Sequence, residues 1–143
     1  MNQQDAIHMT RALELAKLGR GFVEPNPMVG CVIADQDGVI GEGYHERCGH
    51  NHAERNAIAA IPNMHRERLP RSTLYVTLEP CPMCAGALAW SQIGKIVFAA
   101  ADAKKGFSLI NNPLLHPKTI VEKGVLANEC QVLLQRFFRE RRK

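Results

Sequence analysis

Apolar positions along the chain switch between two spacings, and the switches divide it into elements. In residues 4–18, Ile7, Ala12, Leu13, Leu15, Ala16 and Leu18 fall mostly on one side of a helix, with Gly19 and Gly21 as stop signals. The following Glu24-Pro25-Asn26-Pro27 excludes regular helix, because each proline restricts itself and its predecessor. Asn26 is therefore presented on a stiff loop. Residues 28–34 form an apolar, partly β-branched run that reads as a buried strand. Asp35-Gln36-Asp37-Gly38 is a turn, and residues 39–45 read as the returning strand of a hairpin.

Residues 46–51 are polar and form a loop. A short Ala- and Ile-rich helix is expected over 53–61, closed by Pro62. The charged stretch 63–71 reads as an exposed connection. A strand over 72–78, a helix over 81–90 with Pro82 in its first turn, and a strand over 95–101 follow. Residues 102–118 read as irregular, and 119–121 as a brief edge strand. The segment 126–139 is an amphipathic helix with Leu126, Cys130, Leu133, Leu134 and Phe137 on one face.

A hairpin followed by strands alternating with helices predicts an α/β fold. The expected form is a three-layer α/β/α sandwich on a mixed sheet of about five strands. The whole of 1–143 reads as a single domain. With 45% hydrophobic and 22% charged residues, the composition is that of a globular protein. No apolar run approaches a bilayer span, so no membrane contact is expected. The first residues, Met1 to Asp5, lack the pattern of a signal peptide, which points to the cytoplasm. Five cysteines, an odd count without an export signal, argue against a disulfide framework. The net charge of +4 is compatible with a phosphate-bearing substrate or an RNA and decides little.

Two short stretches carry the chemistry: His52-Ala53-Glu54 and Pro80-Cys81-Pro82-Met83-Cys84. Zinc favours imidazole nitrogen and thiolate sulfur, and catalytic zinc sites use three protein ligands with water in the fourth position. His52, Cys81 and Cys84 supply three. A Cys-x-x-Cys pair at a helix start directs both sulfurs to one point, where the helix dipole favours thiolate. One Zn²⁺ per chain is expected, with a water or hydroxide as fourth ligand. Glu54, two residues from His52, is then the group that takes a proton from that water and passes it to a leaving amine. This chemistry suits hydrolytic removal of an amine from an aromatic amidine. Two other readings remain open: a thioredoxin-like redox pair, which leaves His-Ala-Glu unused, and a structural zinc completed by His45, Cys48 or His50.

His-x-Glu combined with Pro-Cys-x-x-Cys is the pattern of zinc nucleobase deaminases. The sequence resembles the cytidine deaminase superfamily over nearly its whole length. The resemblance implies a sheet of about five strands between helices and a homodimer or higher homo-oligomer. The first half is similar to the deaminase domain of the riboflavin pathway, which acts on a phosphoribosylaminopyrimidine. The matching residues include Pro25-Asn26-Pro27, 29–33, Gly41-Glu42-Gly43-Tyr44-His45 and Gly49. In that family the positions matching Asn26 and His45 face the substrate. Ala53, Glu79 and Pro80 are likewise expected beside it.

The second half resembles tRNA adenosine deaminases and free-base deaminases, through residues 77–87, 96–98, Asp102-Ala103-Lys104, 124–127, Glu129-Cys130 and 137–139. The riboflavin enzymes usually carry a longer insertion between their cysteines, whereas the tRNA enzymes have asparagine where this chain has His45. Weighing pocket over scaffold, the expected partner is a small aminopyrimidine, with RNA as the alternative. An inactive zinc-stabilised RNA-binding module is the reading from another class. The basic stretch 136–143 fits either RNA phosphates or a helix C-terminus complementing its own dipole. The segment 104–116 is expected to cross the pocket mouth, and within it Phe107 reads equally as a ring stacked on substrate or a core plug.

Overall fold

The computed structural model describes residues 2–110 and 113–141, and side chains as far as Arg136. Five strands form one sheet in the order β2-β1-β3-β4-β5. They are β1 (Gly30–Asp35), β2 (Gly38–Tyr44), β3 (Thr73–Leu78), β4 (Lys95–Ala100) and β5 (Ile120–Lys123). The hairpin β1–β2 is antiparallel and so is β1–β3, while β3–β4 and β4–β5 run parallel. The sheet is therefore mixed. Four helices cover it: α1 (Gln3–Lys17), α2 (Ala53–Ala59), α3 (Pro82–Ser91) and α4 (Ala127–Arg141).

Alternation along the strands builds the two cores. Cys31, Ile33, Leu74, Val76, Ile96 and Phe98 meet Ala53 and Ala57 of α2 and Leu88 of α3. The intervening Val32, Tyr75, Val97 and Ala99 meet Met9, Ala12 and Leu15 of α1 and Cys130 of α4. Three layers result, with two helices on each face. Cys31 and Cys130 are core residues, and burial raises both thiols, Cys130 to about 12. Gly43 lets α2 lie against the sheet edge, since a Cβ there would stand 2.5 Å from the Ala57 nitrogen.

The sequence pattern misplaces some side chains. On α1, Ile7 and Leu18 are 51% and 55% exposed, while Asp5 and Met9 are buried. Asp5 goes inside because its carboxylate accepts the Tyr75 hydroxyl at 2.8 Å. Residues 63–71, expected as an exposed connection, are mostly exposed but coil into a 3-10 helix, Asn63–Arg71, anchored by buried Leu69. Arg68 on that helix pairs with the enclosed carboxylate of Asp35. On α4, Cys130 is buried and Leu133 and Leu134 are partly covered. Phe137, Phe138 and the tail beyond Arg136 lie outside the described side chains. No helix among the described residues is long and apolar enough to cross a membrane.

Candidate active site

His52 and Cys81 occupy equivalent places. Each is the N-cap residue of a helix, His52 before α2 at φ −69°, ψ 164° and Cys81 before α3 at φ −74°, ψ 167°. Neither cap side chain is spent on its own helix, so both are free to face outward from two helix starts. Cys84, one turn into α3, is fully buried. His52 Nδ1 stands 3.7 Å from Cys81 Sγ and 3.4 Å from Cys84 Sγ. A tetrahedral zinc, with metal–nitrogen near 2.0 Å and metal–sulfur near 2.3 Å, separates its nitrogen and sulfur ligands by about 3.5 Å. The three donors fit that ion in kind and in spacing.

Among the described residues this trio is the one cluster of three such groups that could hold a metal. The alternatives for a fourth protein ligand are absent from it. Cys48 is exposed on the neighbouring loop. The His45 ring lies edge-on to His52, with centroids 5.5 Å apart, and both its nitrogens are engaged elsewhere. A pocket wall of this kind leaves a corner for solvent. The thiols do not titrate alike: Cys81 is held down to about 3 by hydrogen bonds from Cys84 and His52. Cys84 is pushed up by Cys81 and by burial. Two adjacent sulfurs thus share a proton unless a cation replaces it.

Glu54, in the first turn of α2, is 4% exposed, and burial pushes its carboxyl up to about 7. A carboxyl poised near neutrality can both accept and return a proton. The cleft beside it is lined by Asn26, Pro27, Val29, His45, Ala53, Leu78, Glu79, Asp102 and Lys105, along with His52, Glu54 and Cys81. It opens beyond the carboxyl ends of the parallel strands β3 and β4.

Asn26 and His45 form a pair. His45 Nδ1 lies 3.0 Å from the Asn51 carbonyl, which can only accept, so Nδ1 carries the hydrogen. In the neutral ring Nε2 then accepts from Asn26 Nδ2 at 3.1 Å. Asn26 Oδ1 is the atom left to meet a ligand. His45, expected to face the substrate, lines the cleft itself and also holds the amide of Asn26. Glu79 stands at the cleft wall with its carboxylate already engaged, accepting the amides of Asp102 at 3.1 Å and Ser108 at 2.9 Å. Pro80 is fully buried outside the lining, and its carbonyl accepts the Phe107 amide. Both therefore also hold the loop that walls the cleft: Glu79 lines the cleft as well, while Pro80 lies behind the lining. Phe107 is a core plug: it packs edge-on against Phe98, with ring centroids 6.2 Å apart. Asp102 and Lys105 carry no individual signal in the sequence; of the segment 104–116, expected to cross the pocket mouth, Lys105 lines the cleft.

Residues 2–100 match the family described as the cytidine and deoxycytidylate deaminase zinc-binding region. The chain belongs to this family and is a deaminase. It is 38% identical to a diaminohydroxyphosphoribosylamino-pyrimidine deaminase of Buchnera aphidicola, over 97% of each chain. It is 39% identical to a tRNA-specific adenosine deaminase of Haemophilus influenzae, over 96% of this chain and 85% of that one. The solved structure of RibD from Acinetobacter baumannii matches with a TM-score of 0.76 and 36% identity, over 96% of this chain. There the chain spans 39% of the larger protein.

Proposed function

We propose that the chain removes an exocyclic amine from an aminopyrimidine ribonucleotide, a precursor of the riboflavin type. The observation carrying this reading is the buried Glu54 carboxyl beside the His52, Cys81 and Cys84 donors, in a cleft that also presents Asn26 and His45. Those last two residues carry the resemblance to the riboflavin-pathway enzymes, and the Buchnera relative is matched along 97% of its length.

His52, Cys81 and Cys84 would hold one zinc ion, which when bound supplies a Lewis acid that makes water nucleophilic near neutral pH. The remaining work belongs to side chains. Glu54 takes the proton from water as the ring carbon is attacked, and delivers it to the departing amine so that ammonia leaves neutral. Asn26 Oδ1 accepts from a ring or amine N–H and fixes the ring's orientation, with its amide held by His45. Leu78 and Val29 cover the ring faces and exclude bulk water. The exposed apolar residues of α3, Met83 at 56% and Trp90 at 90%, support self-association through that helix.

The test is ammonia release by the zinc-loaded chain from a panel: the riboflavin-precursor aminopyrimidine ribonucleotide, cytosine, guanine, cytidine nucleotides and a tRNA anticodon stem-loop. Turnover of the first, insensitive to salt, is expected. Because the Haemophilus relative has a similar identity, turnover of the stem-loop alone, falling steeply with salt, would overturn the aminopyrimidine assignment.

A further inference from the structure

The cleft wall opposite the Pro25-Asn26-Pro27 loop is made by residues 102–108, and backbone hydrogen bonds fix almost all of it. Glu79 receives the amides of Asp102 and Ser108. Asp102 Oδ1 receives those of Lys104 at 3.0 Å and Lys105 at 2.9 Å. The Asp102 carbonyl receives Gly106, and the Pro80 carbonyl receives Phe107. A Cβ at Gly106 would run into the Glu79 carboxyl carbon, so the loop lies directly on that carboxylate. The Lys105 backbone is thus held in place by a strand end that continues into the Cys81 ligand.

Lys105 is exposed and lines the same cleft as His52 and Glu54. Apart from the two histidines it is the one basic side chain among the described residues of that lining. Four cations elsewhere on the surface are matched by carboxylates: Arg11 by Glu42, Arg68 and Arg71 by Asp35, Lys95 by Glu122. Lys105 has no such carboxylate partner among the described residues. The acidic groups beside it are already engaged by amide hydrogens, which tempers their repulsion of an anion. Lys104 and Lys105 both line the adjoining depression with Pro25 and Leu134, and of the two only Lys105 also lines the cleft of His52 and Glu54. An ammonium group on a fixed backbone at the mouth of a deaminase cleft is suited to one end of the substrate, its phosphate.

We infer that Lys105 receives the phosphate of a phosphorylated substrate whose ring lies at Glu54, and that it sets the preference for phosphorylated over unphosphorylated forms. This rests on the aminopyrimidine ribonucleotide reading above. The experiment measures kcat and KM of the zinc-loaded full chain on the aminopyrimidine ribonucleotide and on the same compound lacking its phosphate. The parent chain is expected to favour the phosphorylated form about tenfold or more in kcat/KM. Lys105→Ala should remove most of that preference through KM, change turnover of the unphosphorylated compound far less than that of the phosphorylated one, and weaken inhibition by inorganic phosphate. Lys105→Arg should restore most of it. A preference unchanged in Lys105→Ala, an equal loss on both compounds, or a loss seen with Lys104→Ala in its place overturns the assignment. Equal turnover of both compounds by the parent overturns it too, while leaving the aminopyrimidine reading intact. Turnover of neither compound brings down that reading and Lys105's role with it.

Discussion

The metal corner and the loop wall face each other across one cleft, yet they are built on opposite terms. The corner is made of side chains that only histidine and cysteine provide, set at two helix starts with nearly the same backbone angles. The wall is made of backbone amides gathered onto two carboxylates, Glu79 and Asp102. The corner therefore tolerates no change of residue type among its donors. The wall tolerates change at most of its positions, provided the carboxylates and Gly106 stay. On the proposed reading, reaction type is set by the first region, and the second adds to a substrate choice that Asn26 and His45 begin.

The largest effect should come from the corner. Cys84→Ala leaves two donors, and the chain should lose both zinc and turnover, read by metal analysis beside ammonia release. A variant that keeps stoichiometric zinc and full rate would show that Cys84 is not a ligand. Next, Glu54→Gln should keep zinc while kcat falls by about 10²- to 10⁴-fold, the usual worth of a positioned acid–base group. Retained turnover refutes its role in proton transfer.

A smaller loss is expected at the wall. Glu79→Gln replaces one accepting oxygen with an NH₂ that opposes an amide hydrogen, at a cost of about 1–3 kcal/mol in local order. Zinc content should stay unchanged while KM rises more than kcat falls. Loss of zinc instead would place Glu79 in the corner's support.

Two stability measurements sharpen the contrast further. In the metal-free chain the Glu54 carboxyl has its folded pKa raised to about 7, above its unfolded value near 4.3. Such an acid favours the folded state when protonated, and its ionisation costs stability as pH rises through that window. Glu54→Gln should therefore raise the thermal midpoint of the metal-free chain at pH 8 and change it little at pH 4. Far from the cleft the sign reverses. Arg68 holds the Asp35 carboxyl well below the usual carboxylate range, so this pair stabilises the fold above about pH 4 and fades as acid protonates Asp35. Asp35→Asn should lower the midpoint at pH 7, and the gap to the parent should narrow as pH falls below about 4. A gap of constant size would show that the charge of Asp35 is not what the helix Asn63–Arg71 uses.

Much of this was legible in the chain because it obeys local rules. Apolar runs in 28–34, 72–78 and 95–101 mark strands that are indeed buried along most of their length, and Pro82 marks the start of α3. Residue type marks the donors. What escaped did so for reasons that can be named. Asp5 reads as a solvated residue until Tyr75, seventy positions away, offers a hydroxyl. Arg68 reads as part of an open charged stretch until Asp35 is placed beside it. Glu79 and Pro80 sit in the most recognisable motif of the chain, yet their contacts go to the amides of Asp102, Phe107 and Ser108.

The sequence alone determined the donor set, the acid beside it and the elements that present them, since helical and extended periodicity and the affinity of sulfur and imidazole for zinc act at short range. Only the tertiary structure decided which ring nitrogen of His52 turns inward, how His45 orients Asn26, and where Lys105 stands. Those outcomes depend on hydrogen bonds between groups distant along the chain, and a backbone amide carries no mark of its partner in the residue to which it belongs.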